Sequence, residues 1–143
     1  MEIAPTGHAA THRRHSSRLS PAIRVGSAMT TTKRSPCPVA CTLDIIGDKW
    51  TLLIIRDMHF GRSHFKEFME SPEGIATNIL SDRLAKLIQW GLAEKYPSEE
   101  SPGRDACRLT AKGSSLGPVL KAIADWGIAE IKGTAKLLKP KTK

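Results

Sequence analysis

Long apolar runs are missing from this sequence, and aromatic residues make up only 5% of it. No stretch approaches the roughly 20 consecutive apolar residues of a membrane-spanning helix, so we expect a soluble protein with no membrane partner. Three cysteines do not make a disulfide framework in an intracellular-looking chain. The histidines lack the cysteine or carboxylate neighbours of a strong metal site, so we predict no metal and no cofactor.

Catalytic motifs are missing as well. The chain has no nucleophile–base arrangement, Gly-rich phosphate loop, HExxH motif or paired carboxylates. Asp44, Asp48 and Asp57 are spread through predicted helices and are interpreted as caps or solvated positions. We therefore predict that the protein is not an enzyme.

Positive charge is concentrated near the two ends of the chain, whose formal net charge is +8. Residues 1–36 carry six Lys/Arg and one Asp/Glu, and residues 132–143 carry five Lys and no acid. Residues 37–131 carry eleven basic and thirteen acidic residues. Basic ends attract any polyanion, so charge alone supports nucleic-acid binding only weakly.

The same composition predicts three regions. Residues 1–35 are rich in Ser, Thr, His, Arg and Ala without an apolar period, which indicates a disordered basic extension. Residues 36–131 are expected to form the folded domain, and residues 132–143 a basic tail.

The clearest helical pattern runs from Gly74 to Gly91. At 100° per residue, one side of this segment is apolar and the opposite side is polar. The apolar side contains Leu80, Leu84, Leu87 and Ile88, and the exposed start of the helix contains Thr77, Asn78 and Ser81. Such a helix is typical of a recognition helix that meets base edges in a major groove. Taken alone, the segment is more typical of an ordinary core helix with a solvated face, and it is the surrounding sequence that favours a recognition helix.

Three helices are predicted before this one. The first begins at Pro38 and stops at Gly47, and the second runs from Lys49 to about Phe60 with Asp48 as its cap. A third, short helix is predicted after a Ser63 cap. Together with the helix that begins after Gly74, it has the layout of a helix-turn-helix.

Extended runs follow, predicted as a hairpin over residues 92–109 with strands Leu92–Tyr96 and Cys107–Leu109. A hairpin directly after a recognition helix is the wing of a winged helix. Thr110 is predicted to cap a last helix that extends to Ile131, with a bend at Gly117-Pro118. The predicted fold is therefore mainly α with a small β-hairpin wing (α+β), a winged helix-turn-helix.

The last helix carries more apolar residues than the core of one domain needs. We interpret its exposed side as a surface for a second copy of the chain. The residues concerned are Leu120, Ile123, Trp126 and Ile131. The alternative is that this helix only closes its own core.

Seven short segments, in order along residues 37–127, share the residues of a known family. They are Cys37-Pro-Val, Ile45–Arg56, Gly61–Phe68, Gly74–Leu84, Gly91-Leu, Leu109–Gly113 and Asp125-Trp-Gly127. In them the chain resembles the HxlR-type winged helix-turn-helix regulators, relatives of the MarR group. The resemblance implies a homodimeric DNA-binding regulator in a prokaryotic cytoplasm, interpreted as a repressor. It also implies that the first helix, with Val39 and Leu43, joins the dimer interface.

Eight residues are predicted to contact double-stranded DNA. Besides Thr77, Asn78 and Ser81, they include Lys86, which lies too far along the helix to be a first choice for bases. Lys95 and Arg104 of the wing suit phosphates or the neighbouring minor groove. The remaining two of the eight predicted DNA contacts are Asp82 and Arg83.

Asp82 and Arg83 each leave two interpretations open. Asp82 would repel a nearby phosphate, so either the helix docks at a shifted angle or Asp82 accepts a hydrogen bond from a cytosine amino group. Arg83 falls on the core-facing side, between Ile79 and Leu87, so it makes either a structural ion pair or a phosphate contact.

Cys37 is the candidate sensing residue. It precedes a helix whose free N–H groups can stabilise a thiolate, with Lys33 and Arg34 nearby. The resemblance implies that a cysteine at this position senses electrophiles or oxidants in several members. Cys41, one turn further, is interpreted as a core thiol or a resolving partner, and Cys107 as packed.

Two alternatives to this interpretation stay open. Cys37 could be an unreactive thiol, with regulation by a small-molecule effector in a pocket of the dimer interface. The chain could also be a winged-helix protein-interaction module without specific DNA binding.

Overall fold

Six helices and a two-stranded antiparallel hairpin make up residues 34–135, the part of the chain that the computed structural model describes. In chain order they are α1 (Pro38–Ile46), α2 (Thr51–His59), α3 (Phe65–Met69), α4 (Thr77–Gln89), β1 (Ala93–Pro97), β2 (Asp105–Leu109), α5 (Ala111–Ser114) and α6 (Gly117–Glu130). The predicted mainly α fold with a β-hairpin wing is confirmed.

The predicted end regions fall largely outside this part of the chain. Of the extension predicted over residues 1–35 only Arg34 and Ser35 are described, and of the tail predicted over residues 132–143 only residues 132–135. All described residues belong to one compact unit. None of their helices is long and apolar enough to cross a membrane.

Two predicted helix starts are wrong by one or two residues. α2 begins at Thr51 rather than Lys49, because the Asp48 carboxylate accepts the N–H groups of Trp50 and Thr51, at 2.9 and 3.1 Å, and holds the chain in a turn. The cap of α3 is His64 rather than Ser63. Here Glu67 Oε1 accepts the backbone N–H groups of Ser63 and His64, at 2.9 and 3.0 Å.

The predicted last helix is two helices. Thr110 does cap the first of them, since its hydroxyl accepts the Gly113 N–H at 3.1 Å. The chain then breaks at Ser115 and α6 begins at Gly117. Pro118 explains the new start, because proline lacks the N–H that a helix interior needs but fits a first turn.

The second strand of the wing begins two residues earlier than predicted and the first is shifted by one, because β1 and β2 pair from Ala93↔Leu109 to Pro97↔Asp105. Pro97 is tolerated at the end of an edge strand, where its missing N–H costs no ladder bond. Gly113 allows α5 to lie close to the start of the wing, since a Cβ at this position would lie only 2.0 Å from the Leu92 carbonyl oxygen.

The core is built around α4. Leu80 and Leu87 are fully buried, and they join a cluster with residues of α2, α3 and the wing. Burying each such side chain stabilises the fold by about 1.5–3 kcal/mol. The helix ends at Gln89 and is closed, as predicted, by Gly91, whose φ is +73°. Its N–H donates to Ile88 O at 3.0 Å and that of Leu92 to Leu87 O at 2.8 Å, a Schellman motif.

Arg56 of α2 ties this core to the turn between α3 and α4. Its Nη1 and Nη2 donate to the two carboxylate oxygens of Glu73, at 2.9 and 2.8 Å. Nη2 also donates to Ser71 Oγ at 3.0 Å, and Nε to the carboxylate of the buried Asp57 at 3.1 Å. The hydrogen bonds from Arg56 lower the pKa of Glu73 to about 2, against an ordinary value of 4.5.

We expect Glu73→Gln to destabilise the protein at neutral pH by about 1 kcal/mol, the usual range for a partly exposed charged hydrogen bond. Because the pKa of Glu73 is lowered on folding, its stabilising effect is present above pH 4.5. It is lost as the pH falls from 4.5 towards 2. The unfolding free energies of the two proteins, measured by urea titration, should therefore converge at low pH. A difference that is as large at pH 3 as at pH 7 would contradict this assignment, and Glu70→Gln is the matched control.

Candidate nucleic-acid interface

The exposed start of α4 carries the three residues predicted to contact bases. Thr77, Asn78 and Ser81 are all exposed, on the side opposite the buried Leu80 and Leu87. The buried side holds the helix, so Asn78 and Ser81 lie on its exposed side within the first two turns, while the Thr77 hydroxyl lies 4.0 Å from Met69 Sδ. This surface offers both hydrogen-bond donors and acceptors.

Charged residues along α4 are paired with one another. Asp82 forms ion pairs with Arg83 and with Lys86, whose Nζ lies 3.4 Å from Asp82 Oδ2. Arg83 Nε also donates to Asp48 Oδ2 at 2.9 Å, across 35 residues of sequence. The structure thus shows the ion pair that was one of the two interpretations of Arg83.

Asp48 is the residue that receives Arg83, in the turn before α2. Burial raises the pKa of this carboxyl, but hydrogen bonds from Thr51, Arg83 and backbone N–H groups outweigh burial and lower it to about 2. Asp48 therefore stays ionised at neutral pH and anchors the side of α4 to the start of α2.

The two wing residues predicted to contact DNA lie in different places. Lys95 stands opposite Cys107 in the strand register, and both line a groove between α4 and the hairpin that Ser81 also lines. The structure thus brings Lys95 beside α4. Arg104 is exposed in the loop between the strands, away from this groove.

Several wing contacts were missed by the sequence analysis. Ser98, in the loop between the strands, is buried, and its Oγ lies 2.6 Å from His64 Nε2. On the outer face, Arg108 pairs with Glu94 at 2.7 Å and covers the Tyr96 ring at 4.5 Å. Neither set has a periodic signal, because each joins residues far apart in sequence.

The three cysteines are free thiols in different environments. Cys37 is the exposed N-cap of α1. Cys41 is half-buried, with Sγ 3.2 Å from Ser35 O. Cys107 is buried, and burial raises the pKa of its thiol, so it is packed rather than reactive.

Five of the six predicted dimer residues are at least half exposed in this single chain. They are Val39, Leu43, Ile123, Trp126 and Ile131. Leu120 differs, because it is half-buried and packs against the chain's own core. An apolar groove along α6 contains Val119, Ile123 and Trp126.

Metal binding finds no support in the described residues, 34–135. Among them, no group of three or more His, Cys, Asp or Glu side chains lies where it could hold a metal ion.

Comparison with known proteins gives one family. The model of the HxlR-like helix-turn-helix family matches residues 45–134. An uncharacterised HTH-type transcriptional regulator of Mycobacterium tuberculosis is 35% identical over 89 residues, which cover 62% of this chain and 56% of that protein. The chain thus spans little more than half the length of this curated relative.

Solved structures of transcription regulators are also similar to this chain. The crystal structure of PA1607, a proposed transcription factor, superposes with a TM-score of 0.66 at 41% identity, covering 73% of this chain and 74% of that one. The redox regulator HypR in its reduced form gives a TM-score of 0.61 at 28% identity, covering 67% and 95%. These relatives are described as transcriptional regulators. This agrees with the prediction that the protein is not an enzyme. The chain therefore belongs to the HxlR-like helix-turn-helix family.

Proposed function

We propose that the protein is a transcriptional regulator that binds operator DNA sequence-specifically as a homodimer, and that it represses transcription in a prokaryotic cytoplasm. The observation that carries this proposal is the exposed polar start of α4, opposite a fully buried leucine side. Thr77, Asn78 and Ser81 can reach base edges there, since an asparagine pairs well with adenine and hydroxyls with several bases. Repression is the simplest result when a regulator occupies promoter DNA.

The charges around α4 support docking in a groove. Asp82 would repel phosphates if it were alone, but Arg83 and Lys86 offset its charge. Arg83 then holds α4 in place through its ion pair with Asp48. Its second ion pair, with Asp82, lies on the side of α4 that we propose faces the DNA. Lys95, which lines the same groove as Ser81, and the exposed Arg104 of the loop are proposed to contact the phosphate backbone on the wing side.

Asn78→Ala is expected to weaken binding to a preferred duplex by about tenfold, because one well-placed base contact contributes about 1–3 kcal/mol of discrimination. The duplex is first selected from a random pool by the wild-type protein, and affinity is then measured by fluorescence anisotropy over a salt series. The log–log salt slope should be unchanged in this variant, since about one unit of slope reports one phosphate contact.

Gln89→Ala, at the far end of α4, is the matched control and should bind like wild type. Arg83→Ala should lower both the melting temperature and the affinity, because Asp48 loses its partner. If the wild-type protein selects no duplex at moderate salt, DNA reading is contradicted and the protein-interaction alternative gains support.

We propose further that α1 and α6 form the dimer interface. Trp126 is 63% exposed and Val39 65% exposed, an unusual state for large apolar side chains. Within the described part of the chain α6 has no fully buried residue. A second copy would cover this surface, with Ile123 near the centre of the apolar groove.

Ile123→Asp should convert the dimer to monomers in sedimentation equilibrium. A carboxylate buried without a partner costs several kcal/mol, so dissociation should rise by about a hundredfold or more. Ser114→Asp, at an exposed position of α5, is the control and should leave the dimer intact. A wild-type protein that is monomeric at micromolar concentration would refute the interface.

Regulation is proposed to act through Cys37. This thiol is exposed at the start of α1, two residues before Val39 of the proposed interface, so an adduct or oxidised group there would alter how two copies pack. The similarity to HypR, a redox regulator, is consistent with this role. An effector bound in the dimer interface is the competing mechanism.

Treatment with diamide or a quinone should weaken binding to the selected duplex by about tenfold or more, because disturbing one well-packed interface residue costs more than about 1 kcal/mol. Cys37→Ser should bind normally and resist treatment. Cys107→Ser should remain sensitive, because the Cys107 thiol that it removes is buried and does not react. Wild-type binding that is indifferent to both reagents would rule out the thiol switch and favour the effector pocket.

A further inference from the structure

A chain of hydrogen bonds joins the start of α3 to the loop of the wing. His64 Nε2 lies 2.6 Å from Ser98 Oγ, and the same Oγ accepts the Ser101 N–H at 3.0 Å. On the other side of the ring, His64 Nδ1 lies 3.4 Å from Glu67 Oε1. The link spans 34 residues of sequence and connects the helix-turn-helix to its wing.

Each ring nitrogen of His64 has a polar neighbour. Ser63 Oγ at 3.2 Å and Glu67 Oε1 at 3.4 Å face Nδ1, while the Ser98 hydroxyl, which can donate or accept, faces Nε2. The Ser98 oxygen also accepts the Ser101 N–H. Both ring nitrogens and the hydroxyl have partners, which matters because the His64 side chain is 17% exposed and Ser98 only 7%.

The order serine, histidine, carboxylate resembles the relay of serine hydrolases, but the environment differs. Ser98 is buried, and its oxygen is occupied by the Ser101 N–H. A nucleophile needs an open approach and an oxyanion-binding site. The geometry therefore indicates a holding contact rather than a catalytic one.

Ser98 in turn determines the position of Arg104. The Ser98 N–H donates to Arg104 O, and the Arg104 N–H donates to Ser101 O, both at 3.0 Å. These bonds close the loop of residues 98–104 on itself. Any shift of Ser98 relative to α3 therefore moves the backbone of Arg104 as well.

We propose that His64 is a positioning residue for DNA binding. It holds the wing loop, residues 98–104, at a fixed distance from α3, so that Arg104 reaches the DNA backbone while α4 occupies the major groove. This inference rests on the proposed function. At the base of the wing, the Cys107 N–H donates to Ser63 O at 2.9 Å and fixes β2 next to α3. His64 extends the same attachment to the loop, beyond the last strand pair Pro97↔Asp105.

Two substitutions of His64 separate reach from capping. His64→Asn keeps a polar atom near the position of Nδ1 and a good N-cap residue, but it is too short to reach Ser98. His64→Gln can place a polar atom near the position of Nε2 and restore the bond. Ser98→Ala removes the bond from the other side.

The readout is hydroxyl-radical footprinting on the duplex selected by the wild-type protein. Arg104→Ala first identifies the wing-dependent positions as those whose protection it removes. His64→Asn and Ser98→Ala should lose the same positions, retain the protection due to α4, and bind about three- to tenfold more weakly, as expected for one hydrogen bond. His64→Gln should restore both the footprint and the affinity. The double variant His64→Asn/Ser98→Ala should bind as strongly as His64→Asn alone, because both changes remove the same hydrogen bond.

Three results would overturn the inference. One is full wing protection in His64→Asn and Ser98→Ala. Another is loss of all protection together with a lower melting temperature in both variants and no rescue by His64→Gln, which would assign His64 to stability alone. The third is an Arg104→Ala footprint equal to that of wild type, because Arg104 would then have no contact to be positioned. Failure of the wild-type protein to select any duplex is a separate result, and it would refute the proposed function itself.

Discussion

The guanidinium of Arg56 holds α2 against the turn that precedes the recognition helix. Its planar fork matches both oxygens of Glu73 and still reaches Ser71 and the buried Asp57. The same segment also buries Ile75 in the core, so Arg56 and Ile75 together hold its shape. Lysine would not replace arginine here, because an ammonium group cannot bond two oxygens of one carboxylate in the same plane. The direction in which α4 leaves the turn follows from this fork.

A second arginine fixes the side of α4. Arg83 bonds Asp48, so α2 contacts one part of the helix-turn-helix through Arg56, and the turn before α2 contacts another part through Asp48. Between these contacts, the leucine side of α4 is buried and its polar start remains exposed. Rigid support of this kind is what a surface needs if it is to read bases by hydrogen bonds of fixed length. The positioning inferred for His64 extends the same principle to the wing.

Paired charges shape the electrostatics of the candidate interface. Asp82 is neutralised within α4, and Arg83 divides its charge between two carboxylates. Residues 37–131 hold nearly equal numbers of acidic and basic groups, and the excess positive charge of the sequence lies outside them. In the proposed function, hydrogen-bonding side chains discriminate between DNA sequences, Lys95 and Arg104 contact phosphates, and the positive charge outside residues 37–131 adds general attraction to DNA.

Local pattern was enough to predict the type and order of most elements of this protein. The leucine spacing of α4, the glycine that ends it and the polar turn of the wing are each readable within a few residues, because helix periodicity, left-handed φ and turn chemistry are local properties. Local pattern failed at the starts of α2 and α3, where Asp48 and Glu67 bond the backbone ahead of the helix, and at the break before Pro118. Only the tertiary structure decided the partners of Arg56, Arg83 and His64, since each bonds a residue 17 to 35 positions away. Such pairs leave no period in a single sequence, because they form only once the packing of the helices has brought them together.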